Sequence, residues 1–460
     1  MSHSNAAALT SLVDEDGGQL IAKWFPIVSI WALGLLCFSL PGRLSPEGVS
    51  SVDLIAVGKL GARALIVLVA AWILIQRKLD FRAGAPIWAM TPLLFWLGWS
   101  VLSVFWSPLL IVSVGQVCGM AAILLLAAVI GCGPASALPN FVSHTLWMLF
   151  AASLATLLLH LVNPELSGLD RALDIPGSDG FVHPTAAGAT ASLGLVLGVL
   201  ARFVWPRNFT SWAASSTFVV HFAVLILASS RSAFAAGAVV CVAIAIWSIE
   251  PRKLGWPLLL LGAGILGYML LDPGFRETRE ILSLGIGYMQ RGQTVTQLKD
   301  FSGRLEMWEA VGAEFSKSPW IGHGYFCTSA EGKLFVWNSW SNPTAHNILL
   351  QLLATGGIVG TLLFLWGMCR AFGKALLDVV LAPDNLTYQP MIAFLLFWYL
   401  IWTFGCVSFI GPIRPESVVF ALILGIAIHP YVRESDGGEQ ESKREHLPAR
   451  LAAYGMQASE

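Results

Sequence analysis

The sequence predicts an all-α polytopic membrane protein, on three observations: its composition, the length of its apolar runs, and the placement of its basic residues. Hydrophobic residues fill 56% of the 460 positions and charged residues only 12%, about half the usual globular share. A chain so poor in charge cannot clothe itself in a polar surface, so its apolar side chains face lipid. A bilayer core takes about 20 mainly apolar residues as helix, because every backbone polar group must be satisfied within the segment.

Twelve runs qualify as candidate spans: 26–40, 54–75, 87–105, 109–131, 141–162, 184–205, 212–229, 232–249, 254–271, 347–372, 391–410 and 417–432, the first and last being the shortest. With the N-terminus in the cytoplasm, the cytoplasmic loops carry Arg77, Lys78, Arg82, Arg202, Arg207, Arg252, Lys253, Arg370 and Lys374. The short loops opposite carry only Arg43, Arg171, Arg231 and Arg414. This is the positive-inside pattern. It predicts a multi-pass inner-membrane protein with a cytoplasmic tail 1–23, helices one to nine over 24–271, a large periplasmic loop 272–346, helices ten to twelve over 347–432, and a cytoplasmic tail 433–460. The polar start, with Asp14, Glu15 and Asp16, lacks the basic opening of a cleaved signal peptide.

Several classes are excluded or disfavoured. A net charge of −1 gives no reason to expect nucleic acid. Of seven cysteines only Cys327 falls clearly in an outer loop, so no stabilising disulfide is expected there. No C-x-x-C or H-E-x-x-H spacing occurs, so neither metal nor cofactor is expected.

The polar chemistry gathers on the outer side. Segment 163–183 is acidic, and 272–346 is too long to be a mere connection. Within it, 301–315 sets Leu305, Trp308 and Val311 at helical spacing beside Glu306, Glu309 and Glu314, which predicts an amphipathic helix. Ser229-Ser230-Arg231-Ser232 breaks a long apolar stretch into a helical hairpin. Arg231 there is either a partnered functional charge or an interfacial arginine snorkelling to headgroups. Lys59 and Arg63, one turn apart in the second span, are a functional cation pair or partners of a loop carboxylate. His183 precedes Pro184 at the start of the sixth span, and His346-Asn347 opens the tenth, where Asn347 suits an N-cap. His160 and His221 read as core residues. Arg231, Arg304, His183 and His346 come from distant parts of the chain yet map to one membrane face. Arginine forks suit a diphosphate, and a histidine can accept a proton near neutral pH. A lipid diphosphate fits that combination.

Ser229-Ser230-Arg231-Ser232, Gly303-Arg304-Leu305-Glu306-Met307-Trp308, Pro319-Trp320-Ile321-Gly322-His323-Gly324, Ala345-His346-Asn347 and Gly356-Gly357-Ile358-Val359-Gly360 together resemble the O-antigen ligase and polymerase superfamily, in order over 180–364. The resemblance implies a GT-C-like glycosyltransferase that moves a glycan from undecaprenyl diphosphate to an acceptor hydroxyl, on lipid A–core or on another lipid-linked glycan, without a metal. It implies that Arg231 and Arg304 hold the diphosphate and that His346 is the general base. His183, His323 and Asn347 are expected at the substrate, joined on physical grounds by Lys59 and Arg63. The rival class is a transporter or flippase of lipid-linked oligosaccharide. Transporters often carry related halves, and no such internal repeat is visible here.

Overall fold

The structure, a computed structural model, describes residues 21–36, 54–77, 86–167, 169, 182–204, 211–248, 304–326, 344–381 and 387–433. The expected ninth span 254–271, most of the acidic segment, most of the large loop, and Cys327 lie outside these residues. The regular elements described are all helical. The longer ones, in order, are α1 (Ile21–Leu35), α2 (Leu54–Gln76), α3 (Pro86–Ser103), α4 (Leu110–Gly131), α5 (Leu138–Val162) and α6 (Pro184–Val204). Then come α7 (Ser211–Leu227), α8 (Arg231–Ser248), α9 (Arg304–Lys317), α10 (Ile348–Leu381), α11 (Gln389–Thr403) and α12 (Pro415–Ile428).

Among the described residues seven helices are long and apolar enough to cross a membrane, and four further apolar helices are shorter. These eleven coincide with eleven of the twelve expected spans. The difference from an expectation of twelve full spans has a physical side in α12. All of it, Pro415 through Ile428, is buried, and it packs against α4, α5, α10 and α11. A helix apolar all round suits lipid or a protein interior equally, and α12 takes the interior. Outward-facing side chains tell the opposite story: Leu68, Ile111 and Leu400 are exposed by 67%, 71% and 70%, as lipid contact requires.

Polar bonds tie the buried helices together. Ser192 on α6 accepts from the indole of Trp398 on α11 at 2.8 Å and donates to the carbonyl of Ala233 on α8 at 2.7 Å. Both residues are buried, and such interhelical bonds help hold helices together where lipid supplies no hydrophobic drive. His221 is fully buried against Ser153, 3.0 Å away, as expected of a core residue, whereas His160 is half-buried near the end of α5 and meets Ser167 at 2.9 Å.

The helix α10 is broken at Gly357, whose φ of 65° and ψ of −168° are not helical. The loop after α9 fills the break. His323 and Gly324 donate to the carbonyls of Ala354 and Thr355 at 2.9 and 3.0 Å, and Ile358 and Val359 donate to Pro319 and Trp320 at 2.8 and 3.2 Å. Backbone groups freed by the break are thereby satisfied inside the protein. A Cβ at Gly357 would lie 2.3 Å from the Trp320 oxygen and 2.6 Å from the Gly322 nitrogen. Both neighbours are backbone and have nowhere to go. Gly357→Ala is therefore expected to destabilise the fold by about 3 kcal/mol or more, read as a lower thermal midpoint in detergent and a smaller full-length membrane pool.

Candidate functional site

The site is assembled at the end of the bundle where α6, α8, α10 and α12 begin. Each of those starts delivers a polar residue. His183 caps α6: its Nδ1 accepts from Thr185 N at 3.2 Å, and Pro184 follows at the first helical position. Arg231 opens α8 after Ser229, which sits at a φ of 46°. His346 precedes α10 at a φ of 49°. Non-glycine residues at positive φ are uncommon and gather where surrounding structure holds strain for function.

The backbone around His346 is gripped on both sides. The indole of Trp308 on α9 donates to the Ala345 carbonyl at 3.1 Å, and Ala345 N donates to Gln351 Oε1 at 2.8 Å. Asn347 Oδ1 accepts from Leu349 N and Leu350 N at 3.0 and 3.1 Å, while its Nδ2 donates to Phe404 O at 3.3 Å. Asn347 is thus the N-cap of α10. His323 Nε2 is 2.8 Å from the Glu314 carbonyl, at the end of α9. The side chains of both residues are engaged in shaping backbone.

Arg304 begins α9 and lies across Gly405 in the connection from α11 to α12. A Cβ at Gly405 would stand 2.7 Å from Arg304 Nη1 and 3.9 Å from Ser232 Cβ. Its charge is felt by Arg231, by His346 and by Cys406. Because a guanidinium is the far end of a flexible side chain, Gly405→Ala is expected to fold normally while pushing Arg304 aside. The activity of the site should fall roughly tenfold at normal protein abundance, the loss of about one charge-assisted contact. Steady-state assay of the purified variant measures it.

His346 is held far below the ordinary histidine value, down to about 3, first by burial and then by the charges of Arg304, Arg414 and His183. Its imidazole is therefore neutral near pH 7, and a neutral imidazole has one nitrogen able to accept a proton.

Next to this cluster is a cavity of about 210 Å³, lined among others by Lys59, Arg63, His183 and Arg414. Arg63 donates to the Gly115 carbonyl at 3.4 Å, and among the described residues its Nε finds no acceptor. So Lys59, Arg63 and His183 share one space, and Arg414 links that space to His346. The charge of Arg304 reaches both His346 and Arg231. Sequence reasoning missed Glu416 and Gly405, and took Arg414 only as a loop charge and Trp308 only as part of an amphipathic helix and a motif. The signal available was the Arg414-Pro415-Glu416 triplet, a charged pair heading an otherwise uniformly apolar helix. Among the described residues no three His, Cys, Asp or Glu side chains come together to hold a metal.

Comparison with known proteins agrees with the motifs. Residues 216–365 match the family described as O-antigen ligase. That stretch contains Arg231, Arg304, His323, His346, Asn347 and the Gly357 break. The chain is also similar to an O-antigen ligase of Pseudomonas aeruginosa, 26% identical over 214 residues, which are 40% of this chain. The match spans about half of that relative's length, 49%. The resemblance to the O-antigen ligase superfamily rests on these findings as well as on the motifs.

Proposed function

We propose that the protein is an inner-membrane glycosyltransferase that moves a glycan from an undecaprenyl-diphosphate carrier to an acceptor hydroxyl at the periplasmic face, with both termini cytoplasmic. The observation that supports this most is the convergence of Arg231, Arg304, Arg414 and His346 at one end of the bundle, beside a cavity lined by Lys59, Arg63 and His183. Arginines seat a diphosphate through bidentate, charge-assisted bonds. Their contribution grows as the leaving diphosphate gathers charge, which is where binding energy accelerates a reaction. The acceptor O–H gives its proton to His346, its oxygen bonds the anomeric carbon, and the bond from that carbon to the diphosphate oxygen breaks. Lys59, Arg63 and His183 bind the carrier's charged head. His323 and Asn347 serve the site by fixing backbone.

Within this activity the name of the relative and the family favour a ligase, with lipid A–core as acceptor, over a polymerase that extends another lipid-linked glycan. Surface glycans of a deletion strain, complemented with wild type, decide between them. A ligase leaves finished polymer on its lipid carrier and bare lipopolysaccharide. A polymerase leaves single repeats. Unchanged glycans would remove the proposal and favour a transporter of lipid-linked oligosaccharide.

A further inference from the structure

Glu416 is fully buried, and among the described residues no other residue donates a hydrogen bond to either of its carboxylate oxygens. It stands at the second position of α12, where the helix dipole favours a carboxylate. Its neighbours from the packed elements are Arg414, Tyr399 of α11, whose hydroxyl donates to the Glu416 carbonyl, and Cys406. The one ion pair of Arg414 among the described residues is this carboxylate, and it is loose: Nη1 to Oε1 is 3.9 Å. A close charge-assisted bond would be about 2.8 Å. Arg414 thus faces two ways. Its charge answers Glu416, while its side chain lines the cavity with Lys59, Arg63 and His183.

Resting on the proposed transfer reaction, we propose that Glu416 is a built-in counter-anion that reclaims Arg414 from the carrier diphosphate after transfer, and so drives product release. The need for one follows from the reaction's own charge balance. The donor is a diphosphate diester. When its glycosyl C–O bond breaks, the electron pair stays on the phosphate oxygen and the proton from the acceptor goes to His346. The released carrier therefore bears one more negative charge than the donor that entered. A cavity and cluster carrying Lys59, Arg63, Arg231, Arg304 and Arg414 would hold that product more tightly than the substrate. An internal carboxylate beside Arg414 opposes the bound anion and offers Arg414 a partner when the anion leaves. In this role Glu416 acts through Arg414, as a positioning residue.

The test is Glu416→Gln in the purified full chain, with undecaprenyl diphosphate added as product inhibitor. The inhibition constant is expected to fall roughly tenfold, about the worth of one charge-assisted contact. A burst of about one product per enzyme should precede a slowed steady state. In an Arg414→Gln background the same change should no longer tighten inhibition. Unchanged or weaker inhibition by undecaprenyl diphosphate, with no burst, overturns the proposal. If Glu416→Gln does not insert, Glu416→Asp gives a second reading. Its shorter carboxylate stands further from Arg414, so inhibition should tighten severalfold, and an unaltered constant overturns the idea. A wild-type protein that neither transfers glycan nor binds the diphosphate defeats the proposed function itself. Transfer with an unaltered inhibition constant in the variants defeats only the role of Glu416.

Discussion

Replacing His346 with alanine should cut glycan transfer by roughly 10²- to 10⁴-fold, the usual contribution of a positioned general base, while leaving insertion and abundance intact. Among the described residues the side chain of His346 makes no hydrogen bond; its backbone neighbours are held through Trp308, Gln351 and Asn347. Activity retained in the variant would reduce His346 to a residue that merely starts α10. The same residue predicts two pH effects. In the free protein its value lies at about 3, below the ordinary 6.5 it has when unfolded. Between those limits the unfolded chain holds a proton that the folded chain does not. Stability from this group is thus fully present above pH 6.5 and is lost as the pH falls through that window. His346→Ala should flatten that part of the acid-unfolding curve. A bound diphosphate offsets Arg304 and Arg414 and lifts His346 back up. The acid limb of kcat should then lie at higher pH than that of kcat/KM, and coincident limbs would contradict a base set between these arginines.

Arg304→Lys is the second large effect. It keeps the charge yet should lower transfer by roughly 10²- to 10³-fold, as loss of a preorganised donor to a developing anion does elsewhere. The guanidinium of Arg304 is placed by its fit over Gly405 beside Ser232. A lysine offers a compact point charge there and loses the planar fork that two phosphate oxygens need. If the variant keeps wild-type kcat/KM, Arg304 acts through charge alone.

Much of the architecture was legible in the sequence because apolar length is a strong physical signal. Helices such as α4, α5 and α10 follow directly from it. Which helix would be central was not legible, because α12 is apolar on every side and such a helix reads alike in lipid or protein. The site divides in the same way. Arg231, Arg304 and His346 sit in ordered motifs, and the amphipathic spacing of Leu305, Trp308 and Val311 announced α9. The pair Gly356-Gly357 was visible, but not that its break in α10 would be filled by Pro319 to Gly324. That pairing joins segments with no shared pattern. Arg414 and Glu416 were hidden because a charge in a short outer loop looks like an interfacial anchor. Only packing reveals that Glu416 is buried and Arg414 faces the cavity. For His323 and Asn347 the residue types suited a substrate, and local hydrogen bonding to Glu314 and to the start of α10 accounts for both.

The most direct measurement is reconstitution of the purified chain in liposomes with an undecaprenyl-diphosphate-linked glycan and lipid A–core. Glycan joined to the acceptor is expected, with free undecaprenyl diphosphate formed in equal amount, and neither product with His346→Ala. Donor that stays intact, or that crosses the bilayer without losing its glycan, would contradict it.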